Sequence, residues 1–275
     1  MKKTDFLILL FLTCSIVWMI SSCKEKGPCE GVFCNNGGTC LTGTCNCPNG
    51  FSGVHCEIED LCIIQNVDCQ NGGICNDGNC ECPEGYIGLY CQNFDPAQVQ
   101  ALLNAGISPK ELYDAGISLD SIYGKMHEGG LIFYLNTNDG TGMVAAPADQ
   151  GNSIEWGCLG TEILGADGEA LGTGNANTQA IINGCSKALI AARVCSDLFL
   201  NHKDDWFLPS KDELNRLWVV LYSNGDSSFQ AGFYWSSSEI TAHTAWALRH
   251  PQGTWGDFNK ASNANTMGVR AVRNF

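Results

Sequence analysis

Positive charge is scarce in this chain. Fifteen Lys and Arg stand against 29 Asp and Glu, a net charge of −14 with His neutral. Nucleic-acid backbones are held by clustered cations, so nucleic acid is excluded as a partner. A full membrane span is missing at the N-terminus as well. The apolar run from Phe6 to Ile20 has 15 residues, whereas a bilayer takes about 20. The five His (His55, His127, His202, His243 and His250) include no H-x-x-x-H pair, and the chain has no G-x-S-x-G elbow. Two common hydrolase signatures are therefore absent. Apolar content of 44% and a mean hydropathy of −0.05 exclude a disordered or polytopic chain.

Cysteine, by contrast, is abundant. Fourteen of the 17 Cys fall in the first 91 residues. That density argues against a reducing cytosol. Lys2 and Lys3 followed by the short apolar run read as a secretory signal. The run ends in Ile20-Ser21-Ser22-Cys23, which resembles a bacterial lipoprotein box. The resemblance implies that Cys23 becomes the lipidated first residue and that Cys14 is lost with the signal. Each buried acyl CH₂ contributes roughly 0.8 kcal/mol, so several chains anchor firmly. The expected location is the cell envelope, lipid-anchored to the outer membrane and surface-exposed.

Two cysteine repeats follow, offset by 35 residues. Cys34-Asn35-Asn36-Gly37-Gly38-Thr39-Cys40 matches Cys69-Gln70-Asn71-Gly72-Gly73-Ile74-Cys75. Cys45-Asn46-Cys47-Pro48 matches Cys80-Glu81-Cys82-Pro83, and Gly50-Phe51-Ser52-Gly53 before Cys56 matches Gly85-Tyr86-Ile87-Gly88 before Cys91. Cys29 and Cys62 complete six per unit. So short a unit buries too little apolar surface to fold without covalent staples. Closing a loop of about ten residues removes roughly 3 kcal/mol of unfolded-state entropy. Six cysteines allow fifteen connectivities, and spacing alone does not choose among them.

Both units resemble EGF-like modules, through the C-x-N-G-G-x-C, C-x-C and G-[FY]-x-G-x-x-C motifs. The resemblance implies the pairs Cys29–Cys40, Cys34–Cys45, Cys47–Cys56, Cys62–Cys75, Cys69–Cys80 and Cys82–Cys91. A zinc site on the C-x-C pairs lacks a completing His or C-x-x-C. Ile58-Glu59-Asp60-Leu61 lacks the acidic pattern of calcium-binding EGF modules, so no calcium and no other cofactor is expected. The pair reads as a stiff spacer, with protein binding as the sharper alternative.

The domain boundaries follow: signal 1–22, tether 23–28, modules 29–57 and 58–92, short helical repeats 93–124, and a larger domain at 125–275. Asp95-Pro96-Ala97-Gln98 and Ser108-Pro109-Lys110-Glu111 each place a cap, a first-turn Pro and a Gln or Glu. Helices are expected near 96–104 and 109–115, with a turn from Ser118. They must pack on each other or on the next domain through Leu102, Leu103, Leu112, Ile117 and Ile122, because short helices are marginal alone.

In 125–275, strands are expected at 131–135 and 142–146 around an Asn138-Asp139-Gly140 turn. A short helix is expected at 178–183. A second, capped by Ser186, would run through Leu200 with Ala191, Cys195, Leu198 and Phe199 on one stripe. Ser210 and Glu213 form a capping box before a helix whose Leu214, Leu217, Trp218 and Leu221 face the core. Strands at 234–238, 245–248 and 269–273 complete an α+β order. Cys158 and Cys185 are expected to pair, leaving Cys195 as a buried thiol.

Six segments carry a family resemblance. They are G-G-L-I-F-Y-L at 129–135, Trp156-Gly157-Cys158, Asn177-Thr178, W-F-L-P-S-K-D-E-L at 206–214, Y-W-S-S-S-E at 234–239 and V-R-A-V-R at 269–273. Together they resemble the Lcl C-terminal domain family of bacterial surface proteins. The resemblance implies a fold akin to C-type-lectin and sulfatase-modifying-factor domains, and a role in adhesion, with some members binding sulfated glycans. Residues 125–275 carry 10 basic and 15 acidic side chains, which disfavours a polyanion. The E-P-N, Q-P-D and W-N-D motifs of calcium-dependent sugar binding are absent, as is the late cysteine pair of copper-dependent modifying factors.

The candidate ligand-binding residues are His250, Trp255, Asp257 and Asn259, in a loop that sets aromatics among Gly, Asp and Asn. A plain hairpin is the alternative. Trp206, Trp235 and Trp246 read as core. Arg270 and Arg273 read as partners of buried carboxylates. His202, Asp204, Asp205 and Ser210 could be arranged as a hydrolytic cluster, but a polar loop with a helix cap is the simpler reading. Gly172 to Asn177 reads as turn chemistry rather than a phosphate loop. The expectation is a non-enzymatic envelope protein. Its C-terminal domain binds an extracellular carbohydrate or protein and is held out by the EGF-like spacers. A structural component of a surface complex is the competing expectation, and a cryptic hydrolase the distant one.

Overall fold

The computed structural model describes residues 27–275 apart from 223, 224, 226, 227 and 263–266. Cys23 and the segment expected as a signal lie outside the described residues. The chain divides into two compact units, Met1–Cys82 and Pro83–Phe275.

The first unit has almost no side-chain core. Among its described residues only Gly50 and Cys56 are buried. Disulfides take the place of a core. They join Cys29 to Cys40, Cys34 to Cys45, Cys47 to Cys56, Cys62 to Cys75 and Cys69 to Cys80. Cys82 and Cys91 are disulfide-bonded as well. The repeated Asn-Gly-Gly has a backbone reason. Asn36 and Gly37 hold φ of 49° and 78°, and Asn71 and Gly72 hold 51° and 81°. This left-handed region suits Asn and Gly. Each turn leads into a hairpin, Thr39–Leu41 with Thr44–Asn46 and Ile74–Asn76 with Asn79–Glu81. Cys40 pairs across from Cys45, and Cys75 from Cys80. From Gly27 to Pro109 there is neither Lys nor Arg, against nine Asp and Glu.

The second unit mixes helices and sheets. It begins at Pro83, where Tyr86 and Phe94, tilted against each other with centroids 5.4 Å apart, pack on its core. Asp95 caps a 3₁₀ turn at Pro96–Gln98. Three helices follow: α1 (Val99–Asn104), α2 (Pro109–Asp114) and α3 (Leu119–Ile122). Ser108 and Glu111 complete a reciprocal capping box on α2. Val99, Leu102, Leu112, Ile117 and Ile122 are buried in the same cluster as Ile132 and Phe133. The segment 93–124 is thus part of the C-terminal unit.

One sheet has the order β8-β3-β2-β1, from β1 (Met126–His127), β2 (Gly130–Leu135), β3 (Gly142–Ala145) and β8 (Val272–Asn274). The other has the order β6-β5-β4-β7, from β4 (Gly232–Glu239), β5 (Thr244–His250), β6 (Thr254–Asn259) and β7 (Met267–Gly268). In this sheet β4 and β7 pair in parallel, and the other pairs are antiparallel. The segment expected as one strand at 269–273 is therefore broken. β7 belongs to one sheet and β8 to the other, and the chain crosses between them at 269–271.

Along the chain between β3 and β4 come α4 (Gly174–Gly184), α5 (Ala191–Ser196) and α6 (Lys211–Leu217), the last continued by a π turn at Trp218–Tyr222. The helix expected from Ser186 to Leu200 is much shorter. Cys185 is tied to Cys158 in an extended conformation. Leu189 has a φ of 55°, and Ile190 bridges Glu155. These long-range restraints hold the chain straight until 191. Cys195 is buried and free, whereas Phe199 is 69% exposed and not on an inward stripe.

Candidate functional site

Alternation along β5 builds the site. Ala245 and Ala247 are buried, while Trp246 is half-buried on the opposite face. Directly paired cross-strand residues share a face. Asp257 lies opposite Trp246, Trp255 opposite Leu248 and Asn259 opposite Thr244. The face therefore carries Trp246, Trp255, Asp257 and Asn259 together. The two indoles meet edge to face with centroids 6.4 Å apart.

Helix α6 supplies the polar partners. Lys211 Nζ sits 3.7 Å above the Trp246 ring centroid. It also donates to Glu169 Oε2 at 2.7 Å, while Trp246 Nε1 donates to Glu169 Oε1 at 2.7 Å. One carboxylate thereby fixes both the ring and the cation over it. The Lys211 hydrogen bond holds the Glu169 carboxyl below its ordinary pKa. Trp255 Nε1 donates to Asn215 Oδ1 at 3.4 Å. Beyond Asn215 a groove of about 400 Å³ continues along the helix, lined by Asp212, Arg216, Val219, Leu171 and Tyr134. Such a volume is in the range of small-ligand sites.

The sequence reading placed Trp255, Asp257 and Asn259 in this neighbourhood. Asp257 and Asn259 are exposed and Trp255 half-buried. His250 is not part of the open surface. Its ring is buried, its Nδ1 accepts from Trp218 Nε1 at 3.1 Å, and Tyr222 and Phe229 pack on it. Burial lowers its pKa, so it fills the core as a neutral ring. Trp206 and Trp235 are core, at 2% and 0% exposure. Trp246 was expected with them and is not. The two small residues flanking it were the signal, because Ala on both sides marks the inward face of a half-exposed strand.

No family model matches the chain, and no curated protein matches it. Among solved structures, one similar chain is a fimbrial protein from Bacteroides ovatus, 13% identical, with a TM-score of 0.31. The match covers 48% of this chain and 35% of that one, so it spans about a third of the fimbrial protein.

Of the residues considered for hydrolysis, Ser210 and Asp205 have other partners. Ser210 is buried, and its Oγ donates to Ala170 O at 2.9 Å while accepting from Glu213 N at 3.3 Å. Asp205 forms a two-pronged pair with Arg273, at 2.6 and 2.9 Å. Arg270 pairs with buried Asp149 at 2.6 Å. The glycine-rich loop 172–174 already holds an anion: its N–H groups point at Glu213. Among the described residues no group of three or more His, Cys, Asp or Glu is placed to hold a metal ion. Nor, among them, is any helix long and apolar enough to cross a membrane.

Proposed function

We propose that this chain is a non-enzymatic recognition protein of the cell envelope. Lipidation at Cys23 anchors it to the outer membrane. Two EGF-like modules separate that anchor from the recognition domain along the chain. The domain is C-type-lectin-like, akin to the Lcl C-terminal family, and binds an extracellular carbohydrate or protein. The observation that carries this reading is the Trp246–Trp255 face, where two accessible indoles lie beside Asn and Asp side chains and an open groove. Aromatic rings with a few convergent polar groups are the usual composition of a binding site.

The test is a glycan array and an affinity capture from intact envelopes, both run with the full mature chain and with Trp255→Ala. Saturable binding weakened by the substitution is the expected result. A blank array together with capture indifferent to Trp255 would overturn the reading.

A second reading, a structural component of a surface complex, has its own support. In the first unit Phe33, Val54 and Ile74 are 76%, 76% and 68% exposed. Exposed apolar side chains of that size suit contact with another protein. In that case capture would depend on Phe33 and Val54 and not on Trp255.

A further inference from the structure

The α6 face narrows the ligand, given the recognition reading above. We infer that it takes a neutral oligosaccharide without a metal ion. The sugar chain would lie along α6 from Trp255 to the groove beside Arg216.

Shape comes first. Asp212, Asn215, Arg216 and Val219 fall at i, i+3, i+4 and i+7, so they form one stripe along the helix. With a rise of 1.5 Å per residue that stripe is about 10 Å long. Trp255 flanks it at Asn215, between its ends, through the indole hydrogen bond. A single sugar ring would leave most of this length uncovered, whereas a short linear chain would fill it. The apolar CH face of a pyranose stacks on an indole, and its hydroxyls match the exposed amide of Asn215 and carboxylates of Asp212 and Asp257.

Charge decides the class. The face has two cations against three carboxylates, and only Lys211 is paired with one of them. Lys211 is held by Glu169 and by the Trp246 ring. Arg216 donates to Tyr123 Oη at 3.1 Å and stacks over that ring at 5.6 Å. Glu169, Asp212 and Asp257 are exposed around them. Glu169 is paired with Lys211, but Asp212 and Asp257 are left against a single remaining cation, so a sulfated or otherwise anionic glycan would meet a face of net negative charge. A neutral one meets donors and acceptors and pays no Coulomb penalty.

The test is calorimetry and tryptophan fluorescence of the full mature chain with linear tetrasaccharides of β1,4-glucose, β1,4-N-acetylglucosamine and α1,6-mannose. A heparin tetrasaccharide serves as the anionic probe. The variants are Trp255→Ala and Val219→Arg, the second a surface change that blocks the groove without touching the core. Phe199→Ala, on another cavity, is the control. We expect at least one neutral tetrasaccharide to bind, at least tenfold more weakly in both groove variants. Phe199→Ala, added salt and chelator should leave that binding unchanged. Preference for heparin with a steep salt dependence would overturn the inference while leaving recognition intact. So would neutral binding that neither groove variant weakens. Trp255-dependent capture of an envelope protein with no glycan binding would also remove the sugar and keep the recognition domain.

Discussion

The Glu213 carboxylate accepts a hydrogen bond from the backbone N–H of Gly172 at 2.8 Å, across 41 residues of chain. It accepts from Gly174 N at 3.3 Å and from Ser210 N at 2.8 Å. One buried side chain thus satisfies the free N–H groups at the starts of two helices, α4 and α6. The loop that carries Glu169 and Leu171 is fastened to α6 by this contact, and so is one wall of the groove beside that helix.

Glu213→Gln tests that fastening. An amide can accept at one end only, so at least one buried N–H loses its partner, at about 1–3 kcal/mol. The pH dependence has a definite sign. Burial raises the Glu213 pKa above 4.5 against the backbone hydrogen bonds. The folded state therefore binds the proton more tightly, and this group's contribution falls as pH rises above 4.5. Denaturant midpoints followed from neutral pH down to about 4.5 should show a stabilising trend in the wild type that the variant lacks. A trend shared by both proteins would assign it to another group.

Leu112→Ala reports whether the short helices belong to the C-terminal fold. Leu112 is fully buried in its core. The cavity should cost about 2–5 kcal/mol, lowering the main calorimetric transition. An autonomous helical segment would leave that transition in place and add a separate, earlier one.

Asp149→Ala would strand Arg270. Arg270 is fully buried, Asp149 nearly so, and Tyr234 Oη donates to the same carboxylate at 2.6 Å. Removing one partner of a buried pair costs about 3–5 kcal/mol. Chemical denaturation should show a loss of that size, several times that of exposed Lys110 and Asp114, whose substitution should change stability by less than about 1 kcal/mol.

Thiol chemistry gives a fourth check. Cys195 is the free cysteine among the described residues, and burial raises its pKa well above that of an open thiol. Alkylation without reductant should label Cys195 only after denaturation. Replacing Cys158 and Cys185 together with Ala opens a loop with a sequence separation of 27 and should cost about 3.5 kcal/mol in the chain-entropy model. Rapid native labelling at Cys158 or Cys185 would contradict the bridge.

Local chemistry was legible in the sequence, and distant restraints were not. The Asn-Gly-Gly turns, the caps at Ser108 and Ser210 and the repeated cysteines announce themselves because their partners lie a few residues away. The pairing of Arg270 and Arg273 with carboxylates was also readable, since a buried guanidinium must find one. The late start of α5 was hidden because Cys158, Glu155 and Ile190 act from outside the segment. The break between β7 and β8 was hidden too, since V-R-A-V-R alternates well enough for one strand while its neighbours belong to two sheets. At the candidate site, loop composition singled out Trp255, Asp257 and Asn259, which the structure places on one face of the sheet. Glu169, Lys211 and Asn215 gave no local sign, because only the register of β5 and β6 against α6 makes them neighbours. His250 was misplaced because a ring at a strand end looks the same in sequence whether it turns outward or into the core.

Val272–Asn274 pairs with Met143–Ala145, and so closes a sheet begun some 130 residues earlier. Until that last strand arrives, the edge of β3 stands open with its hydrogen bonds unmet. An unpaired edge of this kind is a template for pairing with another chain, so Val272–Asn274 guards the sheet against association as well as completing it.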